Sequence, residues 1–169
     1  SKLLSWKEES NGNTALLIEG ARRIGKSTVV ESFAKNEYQS YILIDFSTVS
    51  KSIKALFEDI SDLDYLFLQL QLQYKVDLHE RNSLIIFDEV QLCPLARQAI
   101  KSLVKDHRYD YIETGSLISI KKNIQIILIP SEERKLSMYP MDYEEFLWAL
   151  GDHTTTALVR KLFDSDRKS

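Results

Sequence analysis

The chain is poor in residues that cross-link or punctuate a fold. Its one cysteine, Cys93, can form neither an internal disulfide nor a thiolate zinc site, and points to a reducing, cytoplasmic setting. The three histidines, His79, His107 and His153, are scattered without ligand spacing, which speaks against a histidine-based metal centre. Five glycines and three prolines in 169 residues leave little irregular chain, so helices and strands on short connections should dominate. The most apolar stretches, around residues 84–87 and 124–129, fall far short of a membrane span, so no membrane association is expected. No secretory leader is recognisable. There is no basic excess either: a formal net charge of −3 argues against a broad nucleic-acid surface and leaves a narrower nucleic-acid contact open.

What is present is the composition of one ordinary domain, 44% hydrophobic and 28% charged, long enough to bury a core. Along it, strand-like and helix-like segments alternate. A lead-in helix and turn occupy residues 1–13. Strands are expected at 14–19, 41–46, 83–89, 109–114 and 135–139, with the second buried on both faces. Helices are expected at 27–35, 52–59, 62–74, from Pro94 to about His107, and at 141–150, with a loop-rich stretch over 121–133. On the helix after Pro94, Leu95, Ala99, Ile100, Leu103 and Val104 share one side. The alternation implies an α/β fold, a parallel sheet covered by helices on both faces, with ligand at the carboxyl ends of the strands.

The run Gly20-Ala21-Arg22-Arg23-Ile24-Gly25-Lys26-Ser27 follows the first strand and leads into the helix at 27–35. It fits G-x-x-x-x-G-K-[ST], a phosphate-binding loop whose backbone N–H groups and helix N-terminus converge on anionic oxygens. Lys26 is placed to reach the β- and γ-phosphates of a nucleoside triphosphate, and Ser27 to put its hydroxyl on Mg²⁺. Asp88 follows the apolar 84–87, where a Walker B carboxylate holds the same magnesium. Beside it, Glu89 is the candidate that orients and deprotonates an attacking water. Gln91 could sense the γ-phosphate or link the site to the next helix. Thr114 and Ser116 end the fourth strand, where a hydroxyl can sense the γ-phosphate; Ser116 could equally cap a helix. Arg22 and Arg23 could reach a phosphate or a neighbouring subunit, which keeps a homo-oligomer in view. Arg97 and Arg134 are candidate charge-stabilising arginines, with a solvated position the ordinary alternative. No N/T-K-x-D guanine signal occurs, so ATP is expected, with ADP as product.

The strings Leu17-Ile18-Glu19-Gly20-Ala21-Arg22-Arg23-Ile24-Gly25-Lys26-Ser27-Thr28, Leu84-Ile85-Ile86-Phe87-Asp88-Glu89-Val90-Gln91, Tyr111-Ile112-Glu113-Thr114-Gly115-Ser116-Leu117 and Met138-Tyr139-Pro140-Met141-Asp142-Tyr143-Glu144-Glu145-Phe146 together resemble a prokaryotic family of AAA-type ATPases. In that family the core is usually followed by a C-terminal domain of unknown function. The resemblance implies a P-loop NTPase fold with a five-stranded parallel sheet in the AAA order, the Walker A strand central and the Walker B strand outside it. It also implies an ATPase core over residues 14–150, ATP with Mg²⁺, and residues 151–169 as the start of a linker or a truncated C-terminal region. The chain begins at Ser1 and ends in a polar tail, so a fragment of a longer protein is expected, with its second domain missing. The leading expectation is an ATP-hydrolysing domain that couples nucleotide state to an attached domain or partner. The alternatives are a slow, nucleotide-gated interaction module and a small-molecule kinase; the Asp88-Glu89 pair counts against the last.

Overall fold

A computed structural model describes residues 2–20, 26–116 and 133–138, the last six by backbone alone. Helix α1 (Lys2–Ser10) buries Leu3, Trp6 and Ser10, at spacings of three and four that line one face. The turn after it needs a glycine: Gly12 has φ +84°, and a Cβ there would meet the Arg81 guanidinium at 2.7 Å. Strand β1 (Ala15–Gly20) leads across residues 21–25 to helix α2 (Lys26–Glu37). Then follow β2 (Ser40–Asp45), α3 (Lys51–Ala55), α4 (Leu63–Tyr74), β3 (Ser83–Asp88), a 3-10 turn (Val90–Leu92), α5 (Pro94–Asp106), β4 (Asp110–Ser116) and β5 (Glu133–Met138). The helix starts are chemically marked. Ser50 and Asp62 accept hydrogen bonds from the N–H groups of Ile53 and Tyr65, and Pro94 opens α5, where its missing N–H costs nothing.

The strands pair in parallel in the order β2-β3-β4-β1-β5. β4 therefore separates the Walker A strand β1 from the Walker B strand β3, and β4, not β1, is the middle strand of the sheet. One face packs Ile42, Ile44, Ile85, Phe87 and Tyr111 against α3, α4 and α5. The other packs Leu16, Ile18, Leu84, Ile86 and Ile112 against α1 and α2. Each interior strand serves both cores by the period-two alternation of its side chains. Burying the larger of these side chains contributes roughly 1.5–3 kcal/mol apiece.

Several expectations shift. β2 is an edge strand, so Tyr41, Leu43 and Asp45 are only half-buried and burial on both faces does not hold. β5 runs over Glu133–Met138, two residues earlier at its start than periodicity suggested. α3 stops at Ala55. Leu95 on α5 is 44% exposed, while Arg97 takes a place in the interior. Most of the 121–133 stretch and the 141–150 helix lie outside the described residues.

Candidate functional site

Parallel pairing gathers all five strand ends at one edge of the sheet. In register, Gly20 of β1 stands between Ser116 of β4 and Met138 of β5, and Asp45 of β2 stands beside Asp88 of β3. Lys26 begins α2 only six residues beyond Gly20, and α2 packs over β2, β3 and β4 on this side. Residues 21–25 of the phosphate-loop run, Ala21 to Gly25, lie outside the described residues, as do the side chains of Lys26 and Ser116. Ser27 and Thr28 occupy the first turn of α2 and are half-buried.

The acids are held from β4. Asp88 shares a strand face with Leu84 and Ile86, the face toward α2, and its residue is 9% exposed. Thr114, fully buried, donates its hydroxyl to Asp88 Oδ1 at 2.5 Å. The same Oγ1 accepts the backbone N–H of Glu89 at 3.3 Å. Glu89 leaves the strand in the left-handed region, φ 54° and ψ 48°, a conformation that costs a non-glycine residue about 1–3 kcal/mol. Its carboxylate Oε2 accepts from Gln91 Nε2 at 2.6 Å. Behind Asp88, Phe87 meets Phe46, Phe57 and Tyr111 edge-on at 5.6, 5.4 and 6.2 Å, a packed aromatic block under the strand end.

The structure thus brings Asp88, Glu89 and Thr114 together at the sheet edge where β1 ends, with Ser27 in the first turn of α2. Ser116 ends β4 next to Gly20. Arg97 is not solvated: it is 1% exposed, on the α5 face of the sheet, with its Nη1 3.3 Å from Glu113 Oε1. The residue order explains this, because Glu113 and Thr114 project from opposite faces of β4. Arg134 lies on β5, described by its backbone alone.

Three acids escaped the sequence reading. Asp45 ends an apolar strand just as Asp88 does, and that was the available signal. Its Oδ1 accepts from the Ser47 N–H and hydroxyl at 2.9 and 2.6 Å. Glu19 and Glu113 are 1% and 0% exposed on the α5 face. Each is an acid embedded in a buried strand, also a legible sign of a polar network. Cys93, at the start of α5, is packed, and burial pushes its thiol up, which fits a structural rather than reactive residue.

For a magnesium ion, the donor set suits the P-loop manner of binding, in which few protein ligands act beside phosphate oxygens and water. Among the described residues no cluster of three or more His, Cys, Asp or Glu could hold a metal by itself. Asp88 ends β3 and Ser27 lies in the first turn of α2, a carboxylate and a hydroxyl of the kinds such a site uses. Among the described residues no helix is long and apolar enough to cross a membrane.

Comparison with known proteins agrees with this geometry. An uncharacterised protein of Haemophilus influenzae is 23% identical over 158 residues, which cover 90% of this chain. The chain spans 38% of that relative's length. The family model described as an AAA domain matches residues 12–147, well over half of the chain. With its strand order and the loop-to-helix edge, the chain belongs to the AAA domain family, whose members are built around a nucleotide-binding P-loop.

Proposed function

We propose that this chain binds ATP with Mg²⁺ and hydrolyses it to ADP and phosphate, driving an attached domain or partner by its nucleotide state. The observation that supports the reading is the Asp88–Thr114–Glu89 constellation at the sheet edge where the Gly20–Ser27 pattern begins. Bound there, a magnesium–triphosphate complex supplies an electrophilic γ-phosphorus and partial charge neutralisation. Lys26 and the backbone of Gly20 through Thr28 hold the phosphate oxygens, and Ser27 and Asp88 hold the metal. Glu89 accepts a proton from the water that attacks phosphorus; the bond to the bridging oxygen breaks and ADP leaves. Thr114 keeps Asp88 and the backbone of Glu89 in place, with Ser116 at the end of β4 as a second hydroxyl.

One observation favours a slow switch over a fast motor for this chain alone. Among the described side chains, the arginines are engaged elsewhere: Arg81 with Asp110, Arg97 with Glu113, and Arg108 with Asp64 and Asp106. A charge-stabilising arginine supplied by another subunit or partner is worth on the order of 10³–10⁵ in rate. A homo-oligomer and a C-terminal domain are therefore part of the proposal, the latter supported by the greater length of the relative. A cytoplasmic location, suggested by the one buried cysteine, belongs to it as well.

The test separates the two neighbouring acids. Glu89→Gln should keep Mg·ATP affinity and lower turnover by roughly 10²–10⁴. Asp88→Asn should weaken Mg·ATP binding in calorimetry. Parent-like turnover in Glu89→Gln would remove Glu89 from the reaction and favour the slow nucleotide switch.

A further inference from the structure

We infer that Gln91 is a positioning residue: its side-chain amide fixes the Glu89 carboxylate in the orientation that activates water. The inference rests on the reading of Glu89 as that group, and it extends the site by one residue. Gln91 Nε2 lies 2.6 Å from Glu89 Oε2, and the Gln91 residue is 4% exposed. A glutamate side chain is otherwise free about three bonds, and holding such a chain costs rotamer entropy. An ordered donor bears that cost before the reaction begins.

The donor is itself rigid. Gln91 sits in the 3-10 turn Val90–Leu92, closed by Leu92 N–H to Glu89 O and Cys93 N–H to Val90 O, each at 3.0 Å. Val90 and Cys93, 0% and 5% exposed, plug that turn into the core beneath α5. On its other side Glu89 is pinned through its N–H to Thr114. Backbone and carboxylate are therefore each held by one partner. The residue type matters: an amide donates to one carboxylate oxygen and brings no charge. A lysine or arginine there would form an ion pair and draw the carboxylate away from its proton-accepting task. The left-handed backbone at Glu89 follows from the same arrangement, because it turns the chain back so that Gln91 faces the acid.

A double-mutant cycle in the full chain tests this, reading single-turnover hydrolysis, ATP affinity by calorimetry and thermal melting. Gln91→Leu should slow hydrolysis roughly 10- to 100-fold, with ATP affinity held within about twofold. In a Glu89→Gln background the same change should cost nothing further, since the group it orients is gone. In the nucleotide-free protein, the Gln91 side-chain amide should give a shifted, protected pair of resonances that collapses toward free-amide positions in Glu89→Ala. Should Gln91→Leu not fold, Gln91→Met replaces it as an unbranched apolar variant. Parent-like hydrolysis in Gln91→Leu beside a slow Glu89→Gln overturns the inference and spares Glu89. So does an equal, additive loss in both backgrounds, which would mean that Gln91 acts on the fold. A Glu89→Gln variant as fast as the parent removes the underlying reading instead.

Discussion

The Thr114 hydroxyl joins the last residue of the neighbouring strand to the one after it, donating to Asp88 Oδ1 at 2.5 Å and accepting the Glu89 N–H at 3.3 Å. A threonine hydroxyl has one proton to give and lone pairs to receive, so both contacts are compatible at once. Strand register makes it possible. Phe87 pairs with Glu113, which places the next residue of each strand, Asp88 and Thr114, side by side on the α2 face. Thr114 is thereby tied to Asp88 and to the backbone of Glu89.

Thr114→Val keeps the shape and removes the hydroxyl. It leaves two buried polar groups without this partner, at a cost of about 1–3 kcal/mol. The melting temperature should fall by several degrees, and hydrolysis should fall further than ATP affinity, because both acids lose their tether. Thr114→Ser should restore both quantities. Equal activity in the valine and parent proteins would show that the tether is dispensable.

Arg97 and Glu113 form a charged pair in the interior, 1% and 0% exposed, that ties α5 to β4. Removing one partner of such a pair leaves a buried charge, which typically costs about 3–5 kcal/mol. Arg97→Met should therefore shift the urea midpoint strongly, and adding Glu113→Gln should recover part of the loss. A midpoint within error of the parent for Arg97→Met would mean that the pair carries no stability.

Buried phenols predict alkaline unfolding. Burial pushes Tyr38, Tyr109 and Tyr111 up; at Tyr38 the nearby Asp110 charge and the 2.6 Å hydrogen bond to it add to the effect. The folded state keeps protons that the unfolded chain loses near pH 10. The contribution is fully present below about pH 10 and is lost as pH rises beyond it, because the unfolded state then binds fewer protons. Tyrosinate absorbance should rise together with loss of helix signal, and Tyr38→Phe should remove part of the coupling. Ionisation of these groups well before unfolding would contradict their burial.

Much of the site can be read from local sequence. The apolar 14–19 followed by the Gly20–Ser27 pattern, and the apolar 84–87 followed by Asp88 and Glu89, each concern residues adjacent in the chain. A strand delivers its last residue to the sheet edge whatever its neighbours are, so the positions of these groups follow from short-range geometry. Gln91 was visible as a polar residue near the acids; its hydrogen bond to Glu89 depends on the 3-10 turn that periodicity does not reveal.

The burial of Arg97 could not be read the same way. On the chain it is one charge on a helix whose expected apolar side ran through Leu95, and a lone arginine there is ordinarily solvated. Packing α5 over β4 rotates Leu95 outward and sets Arg97 against Glu113, sixteen residues later. The half-exposure of β2 likewise depends on its having only β3 as a neighbour. Composition and local pattern determined which segments form strands and helices and at which strand end the P-loop pattern and the Asp88-Glu89 pair fall. Only the tertiary structure decided which strand lies beside which, because pairing order is set by how whole elements bury their faces together. That order alone places Thr114 on Asp88, Asp45 beside it, and Glu113 on the opposite face under Arg97.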